Sequence, residues 1–238
     1  SDAVQRLNDA VRVVAKLTEE IEGGLTWCGV YDSVMAIGDP QMGKTKTFLL
    51  VAIIISELGL EIGIGMKMIV IVSGRPKEPR TQTLIDAENL ARWRSGRARF
   101  EIASETWNDL GVNNIPHFQR KVAHAIASDR IPILVVKKDT NVLKATQTLA
   151  ESLDVKGLLI QDEADEAAVQ QRQSGRLVQE EAGIHGLVTS IRSALGGPYV
   201  GFTATENAIL LMKNSSPLFP RRLVMLTPGE KYRGPAFW

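Results

Sequence analysis

The sequence predicts an α/β fold: a mostly parallel sheet with helices on both faces. Short, continuously apolar runs recur at residues 33–38, 67–72, 131–136, 157–161 and 199–203. Runs of this kind mark strands buried on both faces, the habit of parallel sheets. Stretches with helical spacing separate them, giving a β–α alternation. The length agrees, since 238 residues that are 44% hydrophobic can build a core for one large domain or two small ones.

Each element has its own warrant. Val4, Leu7, Val11, Val14, Leu17 and Ile21 fall in steps of three and four, so residues 4–21 read as one helix, ended by Gly23 and Gly24. We expect residues 1–24 to form this N-terminal helix and residues 25–238 to form the α/β domain. Residues 33–38 form the first buried strand, residues 44–58 a helix stopped by Gly59, and residues 67–72 the second strand. Turn residues crowd 73–79, which reads as a loop, and residues 80–94 as a helix. Phe100, Glu101 and Ile102 suit a short strand and residues 117–128 a helix. Residues 140–153 carry Val142, Leu143, Thr146, Leu149 and Leu153 on one helical face. Residues 167–182 are polar and are expected to be a mobile excursion. A helix over 184–195, a strand over 199–203, a short helix over 207–213 and a last strand over 222–226 complete the pattern. In open sheets of this class ligands bind beyond the carboxyl ends of the strands.

Composition excludes several function classes. Lys plus Arg is 28 and Asp plus Glu is 27, a net charge of +1, so the chain does not bind by bulk positive charge. Acids near 162–166 can nonetheless mask basic segments near 75–80, 92–99 and 137–138. The single cysteine, Cys28, cannot build a disulfide framework and fits a reducing, cytoplasmic setting. No run approaches the roughly 18 consecutive apolar residues of a membrane span, and nothing reads as a signal peptide.

The first buried strand is followed by Gly38-Asp39-Pro40-Gln41-Met42-Gly43-Lys44-Thr45, a full match to G-x-x-x-x-G-K-[ST] between a strand and a helix. Glycines let the backbone N–H groups curl around phosphate oxygens, and the helix start adds a positive dipole end. Residues 38–46, ending in Lys46, are therefore the candidate nucleotide-binding segment. Lys44 suits the β- and γ-phosphates of ATP, and the Thr45 hydroxyl suits Mg²⁺. The fourth strand runs into Asp162-Glu163-Ala164-Asp165. Two adjacent acids at the end of an apolar strand need a partner, and Mg²⁺ with its waters supplies one. Asp162 is the candidate metal residue and Glu163 the candidate group that orients the attacking water, with Lys44 as the third catalytic candidate. Asp165 is assigned to coupling with neighbouring motifs.

Asp162-Glu163-Ala164-Asp165, followed later by Thr203-Ala204-Thr205, resembles motifs II and III of the superfamily-two helicase-like ATPases. Pro79-Arg80-Thr81-Gln82-Thr83, Leu134-Val135-Val136-Lys137-Lys138, Tyr199-Val200-Gly201-Phe202-Thr203-Ala204-Thr205 and Pro228-Gly229-Glu230-Lys231-Tyr232-Arg233-Gly234 occur in this order. That order resembles the Z-one domain family, prokaryotic ATPases described as putative endonucleases and found beside restriction and phage-defence genes. Members often carry Asp where Gln161 stands, and Pro-Phe-Ala-Asn where Glu206-Asn207-Ala208 follows the triplet. The resemblance covers roughly residues 30–238. It implies a RecA-like P-loop lobe, a DNA backbone contact near Arg80 and Gln82, and coupling of the ATP site to that surface through Thr203, Ala204 and Thr205. It also implies a second RecA-like lobe supplying arginine fingers, and a nuclease partner, both outside this chain.

Lys137 and Lys138 end the third strand on the ligand side and are further nucleic-acid candidates, as are the arginines and aromatics of 92–100. Trp27 is a candidate adenine contact, although core packing accounts for it as well. His117, His124 and His185 have no metal-ligand spacing, and no nuclease constellation occurs. The reading is a DNA-dependent, ATP-hydrolysing motor lobe without a membrane partner, expected to bind nucleotide but turn it over weakly alone. The competing readings are a small-molecule P-loop kinase or GTPase, against which Thr-Ala-Thr and Asp-Glu-Ala-Asp argue, and a nucleotide-binding sensor module without motor activity.

Overall fold

The computed structural model describes residues 2–21, 24–27, 33–38, 44–61, 65–74, 77–92, 96–104, 111–164, 175–204 and 216–227. Helix α1 (Asp2–Ala15) is followed by strands β1 (Thr18–Ile21) and β2 (Gly24–Trp27), an antiparallel pair. Then come β3 (Ser33–Ile37), α2 (Lys44–Glu61), β4 (Met68–Ser73), α3 (Lys77–Ala91) and β5 (Phe100–Ile102). Helix α4 (Ile115–Ala127), β6 (Ile131–Lys137), α5 (Thr140–Leu153) and β7 (Gly157–Gln161) continue the alternation. Helix α6 (Gly175–Leu195), β8 (Tyr199–Thr203) and β9 (Arg222–Met225) close it. Seven strands form one sheet in the order β5-β6-β4-β7-β8-β3-β9, and every pair in it is parallel. This is the expected RecA-like α/β architecture.

Alternate strand residues feed two cores, as the period of two requires. Val34, Ala36, Ile69, Ile71, Ile133, Val135, Leu158 and Ile160 face α1, α2 and α3. Met68, Val70, Val72, Leu134, Val136 and Leu159 face α4, α5 and α6. Both faces are covered, which is why these strands read as unbroken apolar runs. The link from α6 into β8 needs glycine twice. Gly196 has φ +57°, and a Cβ on Gly197 would lie 2.0 Å from the Gly157 carbonyl oxygen. Among the described residues, no helix is long and apolar enough to cross a membrane.

Four sequence expectations are corrected. The helix expected over 4–21 ends at Ala15, where bonds from the Lys16 N–H to Val13 and the Leu17 N–H to Val14 tighten the last turn, and residues 18–21 pair with β2 instead. Its apolar stripe is only partly buried: Val4, Leu7 and Val11 are exposed, whereas Val14 and Leu17 are buried together with Arg6, Asp9, Ala10 and Val13. Polar bonding accounts for the burial of Arg6 and Asp9. Buried Asp9 accepts hydrogen bonds from the N–H and the hydroxyl of Thr227, just beyond β9, and the Arg6 guanidinium donates to the Thr227 carbonyl. Gly59 does not stop α2, which continues to Glu61. The expected loop over 73–79 is already helical from Lys77, with Pro79 in the first turn, where a missing N–H costs nothing. The expected polar excursion is helical from Gly175. Residues 165–174 and the short helix expected over 207–213 lie outside the described residues.

Candidate functional site

The site candidates collect at the carboxyl ends of three adjacent strands. Strand β8 lies between β3, which leads into the glycine-rich segment, and β7, which ends in the acids. The Gly38 N–H donates to the Thr203 carbonyl at 3.0 Å, so the first glycine is stitched to the end of β8. A Cβ on Gly38 would stand 3.0 Å from Leu226, so a larger residue would press on the chain leaving β9. Asp39, Pro40, Gln41, Met42 and Gly43 lie outside the described residues. Lys44 opens α2, and its ammonium donates to the Gly38 carbonyl at 3.4 Å, closing the two ends of the segment on each other. Thr45 is half-buried and Lys46 exposed in the same turn. No acidic residue sits in the first turn of α2, so the positive end of its dipole is not offset there.

Across β8, the Asp162 N–H donates to Val72 at 2.9 Å, prolonging the β4–β7 ladder by one residue. The Asp162 carboxylate accepts the Glu163 N–H at 3.0 Å. Glu163 is left-handed, with φ +50°, a conformation that costs a non-glycine residue about 1–3 kcal/mol and persists only where neighbours impose it. The neighbours are visible. The Ala164 N–H donates to Phe202 at 2.8 Å, and the Lys138 ammonium donates to the Glu163 carbonyl at 2.5 Å. Asp165 lies outside the described residues.

Two strand spacings, about 10 Å, separate β3 from β7. An ammonium, a hydroxyl and a helix start on one side, with two carboxylates on the other, form a donor set suited to a phosphate chain and a hard cation. Lys44 and the α2 N-terminus could hold phosphate. Thr45 and Asp162 could hold Mg²⁺, which keeps several of its waters and so can be reached across such a gap. Among the described residues there is no cluster of three or more His, Cys, Asp or Glu, an arrangement that Mg²⁺ bound with phosphates does not use.

The remaining candidates are distributed as follows. Thr203 is buried at the end of β8, Ala204 follows it half-buried, and Thr205 lies outside the described residues. Arg80 falls in the first turn of α3, and Gln82 is exposed one step on, donating to Asp86 at 3.1 Å. Lys137 is half-buried at the end of β6. Lys138 departs from its expected role as a nucleic-acid contact, being only 3% exposed with its ammonium turned inward onto the acidic loop. In the 92–100 segment, Arg94 lies outside the described residues, and Arg97 is displaced from expectation. Arg97 donates to Glu61 and to the Leu60 carbonyl at the far end of α2, and Glu57 accepts the N–H groups of Arg97 and Ala98. That end of α2 faces the amino ends of the strands, opposite the end that Lys44 opens. A groove of about 440 Å³ lined by Lys67, Asp154 and Lys156 lies on that far side too.

Sequence reading missed the structural part played by Gln161. It is buried at the end of β7, and its side-chain oxygen accepts the Tyr199 hydroxyl at 2.9 Å. Tyr199 lies under Arg192, 5.6 Å from the ring centre, and burial pushes its phenol well above the usual range although Arg192 opposes the shift. A polar residue closing an otherwise apolar strand was the available signal. Comparison with protein-family models finds no match to this chain, and comparison with curated proteins finds none either.

Proposed function

We propose that this chain is an ATP-binding and ATP-hydrolysing lobe of a helicase-like, DNA-dependent motor. The observation that carries the proposal is the convergence of Lys44 and the Asp162–Glu163 pair at the carboxyl ends of β3 and β7, with β8 alone between them. The full G-x-x-x-x-G-K-[ST] match supplies the segment between β3 and α2. Lys44 would bind the β- and γ-phosphates, and Thr45 and Asp162 would hold Mg²⁺, which when bound neutralises charge on the phosphates. Glu163 would orient the attacking water, and the buried Thr203 would carry the state of the site along β8. Catalysis of this kind rests on positioning and electrostatics. DNA, a second lobe with arginine fingers and a nuclease partner follow from the Z-one resemblance and belong to the same proposal. Arg80, Gln82 and Lys137 are its DNA-facing candidates.

Titration calorimetry with Mg·ATP tests the core of the proposal. Wild-type protein binds, and Lys44→Ala removes the binding. Equal affinity in the two proteins would show that the glycine-rich segment is an ordinary turn.

A further inference from the structure

We propose that Lys138 is a positioning residue for the acidic loop, holding the peptide unit between Glu163 and Ala164 in the one orientation that sets the Glu163 carboxylate for hydrolysis; this rests on the nucleotide reading above. The two bonds described at this loop belong to a single peptide group. Its carbonyl oxygen, on Glu163, accepts from the Lys138 ammonium at 2.5 Å, and its N–H, on Ala164, donates to the Phe202 carbonyl at 2.8 Å. The plane is thus gripped from β6 on one side and from β8 on the other. Rotating it out of this orientation changes ψ of Glu163 and breaks both bonds at once, so the backbone that follows the left-handed Glu163 is held in place.

The origin of Lys138 makes the grip stiff. Lys138 lies between the last residue of β6 and Asp139, whose carboxylate caps α5 by accepting from the N–H groups of Asn141 and Val142. The Asp139 N–H bonds back to the Lys137 carbonyl at 2.8 Å, so the backbone on either side of Lys138 is fixed. Lys138 is 3% exposed, and a charge taken out of water requires specific acceptors such as this carbonyl. Phe202 directly precedes Thr203, so the gripped peptide also joins Glu163 to the strand that lies beside the phosphate loop.

Amide hydrogen exchange, Mg·ATP affinity and single-turnover hydrolysis with enzyme in excess test this together on the full chain. In the wild type, the Ala164 amide exchanges slowly, as the amides at the ends of β7 and β8 do. Free exchange of Ala164 in the wild type overturns the grip without any variant being made. Lys138→Met keeps the length of the side chain and removes the donor. It should speed Ala164 exchange at least tenfold while leaving β4 and β6 protected. It should also keep Mg·ATP affinity within about threefold and lower the single-turnover rate at least tenfold, with Lys138→Arg recovering part of both losses. A Lys138→Met protein with wild-type Ala164 exchange, or one that hydrolyses at the wild-type rate, overturns the proposal. Failure of the nucleotide reading looks different: wild-type protein then shows the slow Ala164 exchange but no Mg·ATP binding, and the hydrolytic role assigned to Lys138 falls with it.

Discussion

Lys138 and His185 illustrate how much a single side chain depends on what packs around it. Lys137-Lys138 in sequence is a basic pair at a strand end. The fold divides the pair, leaving Lys137 half-buried and spending Lys138 on Glu163. No periodicity announces that division, because it arises where two non-adjacent loops meet. That Gly38 and Lys44 follow one strand and Asp162 and Glu163 another was legible, by contrast, because unbroken apolar runs mark the strands that precede them. His185 yields a prediction at this scale. Its ring shares a hydrogen bond with the Ser216 hydroxyl at 2.9 Å, and burial lowers its pKa from 6.5. Between the lowered value and 6.5, the unfolded chain binds more protons than the folded one. Stability from this group is therefore complete above pH 6.5 and is lost as the pH falls through that window. Urea unfolding at pH 7.5 and at lower pH should give a drop in midpoint that His185→Gln reduces.

Among the elements, α1 shows best where sequence reasoning stops. Its apolar steps predicted a helix but neither its end at Ala15 nor the exposure of Val4, Leu7 and Val11. Asp9 and Arg6 are both buried, and together they bind Thr227. Three specific hydrogen bonds to one residue outweigh the small gain from turning half-exposed valines inward. Removing one partner of a buried pair leaves an uncompensated charge, at a cost of about 3–5 kcal/mol. Asp9→Ala should lose about that much in urea unfolding, and a loss below 1 kcal/mol would mean the helix stays docked through its apolar contacts. Strands β7 and β8 and helix α5 fell on their sequence boundaries because each is bounded by a clear signal: Gly157, the Gly196–Gly197 turn and the Asp139 cap. Helix α6 begins earlier than expected because a polar sequence and a helical backbone are compatible, and polarity alone does not mark a mobile excursion.

At the scale of the molecule, the parallel sheet and its two-sided core were legible as a class, whereas the order of strands was not. That order depends on crossovers, which the local pattern does not encode. The proposed ligand has a thermodynamic consequence for the fold as a whole. A nucleotide that binds only the folded chain stabilises it by RT ln(1 + [L]/Kd), about 2.7 kcal/mol at a hundred times Kd. For a domain of this size that corresponds to a rise of roughly 5–10 °C in Tm. Scanning calorimetry should find that rise with Mg·ATP in the wild type and its absence in Lys44→Ala.

The position of β3 in the sheet also sets a schedule for synthesis. Its partners are β8 and β9, with Ser33 paired to Tyr199 and Val34 to Arg222, so the strand that leads into the glycine-rich segment has no neighbour until the last part of the described chain has emerged. At ribosomal rates of about 5–20 residues per second, that leaves β3 waiting roughly 10–30 s. Strands β4, β6 and β7 can pair during that interval, each made before it ends. An apolar strand kept waiting so long is exposed to mispairing, and the end of β3 that carries Gly38 is among the last parts of the sheet to be completed.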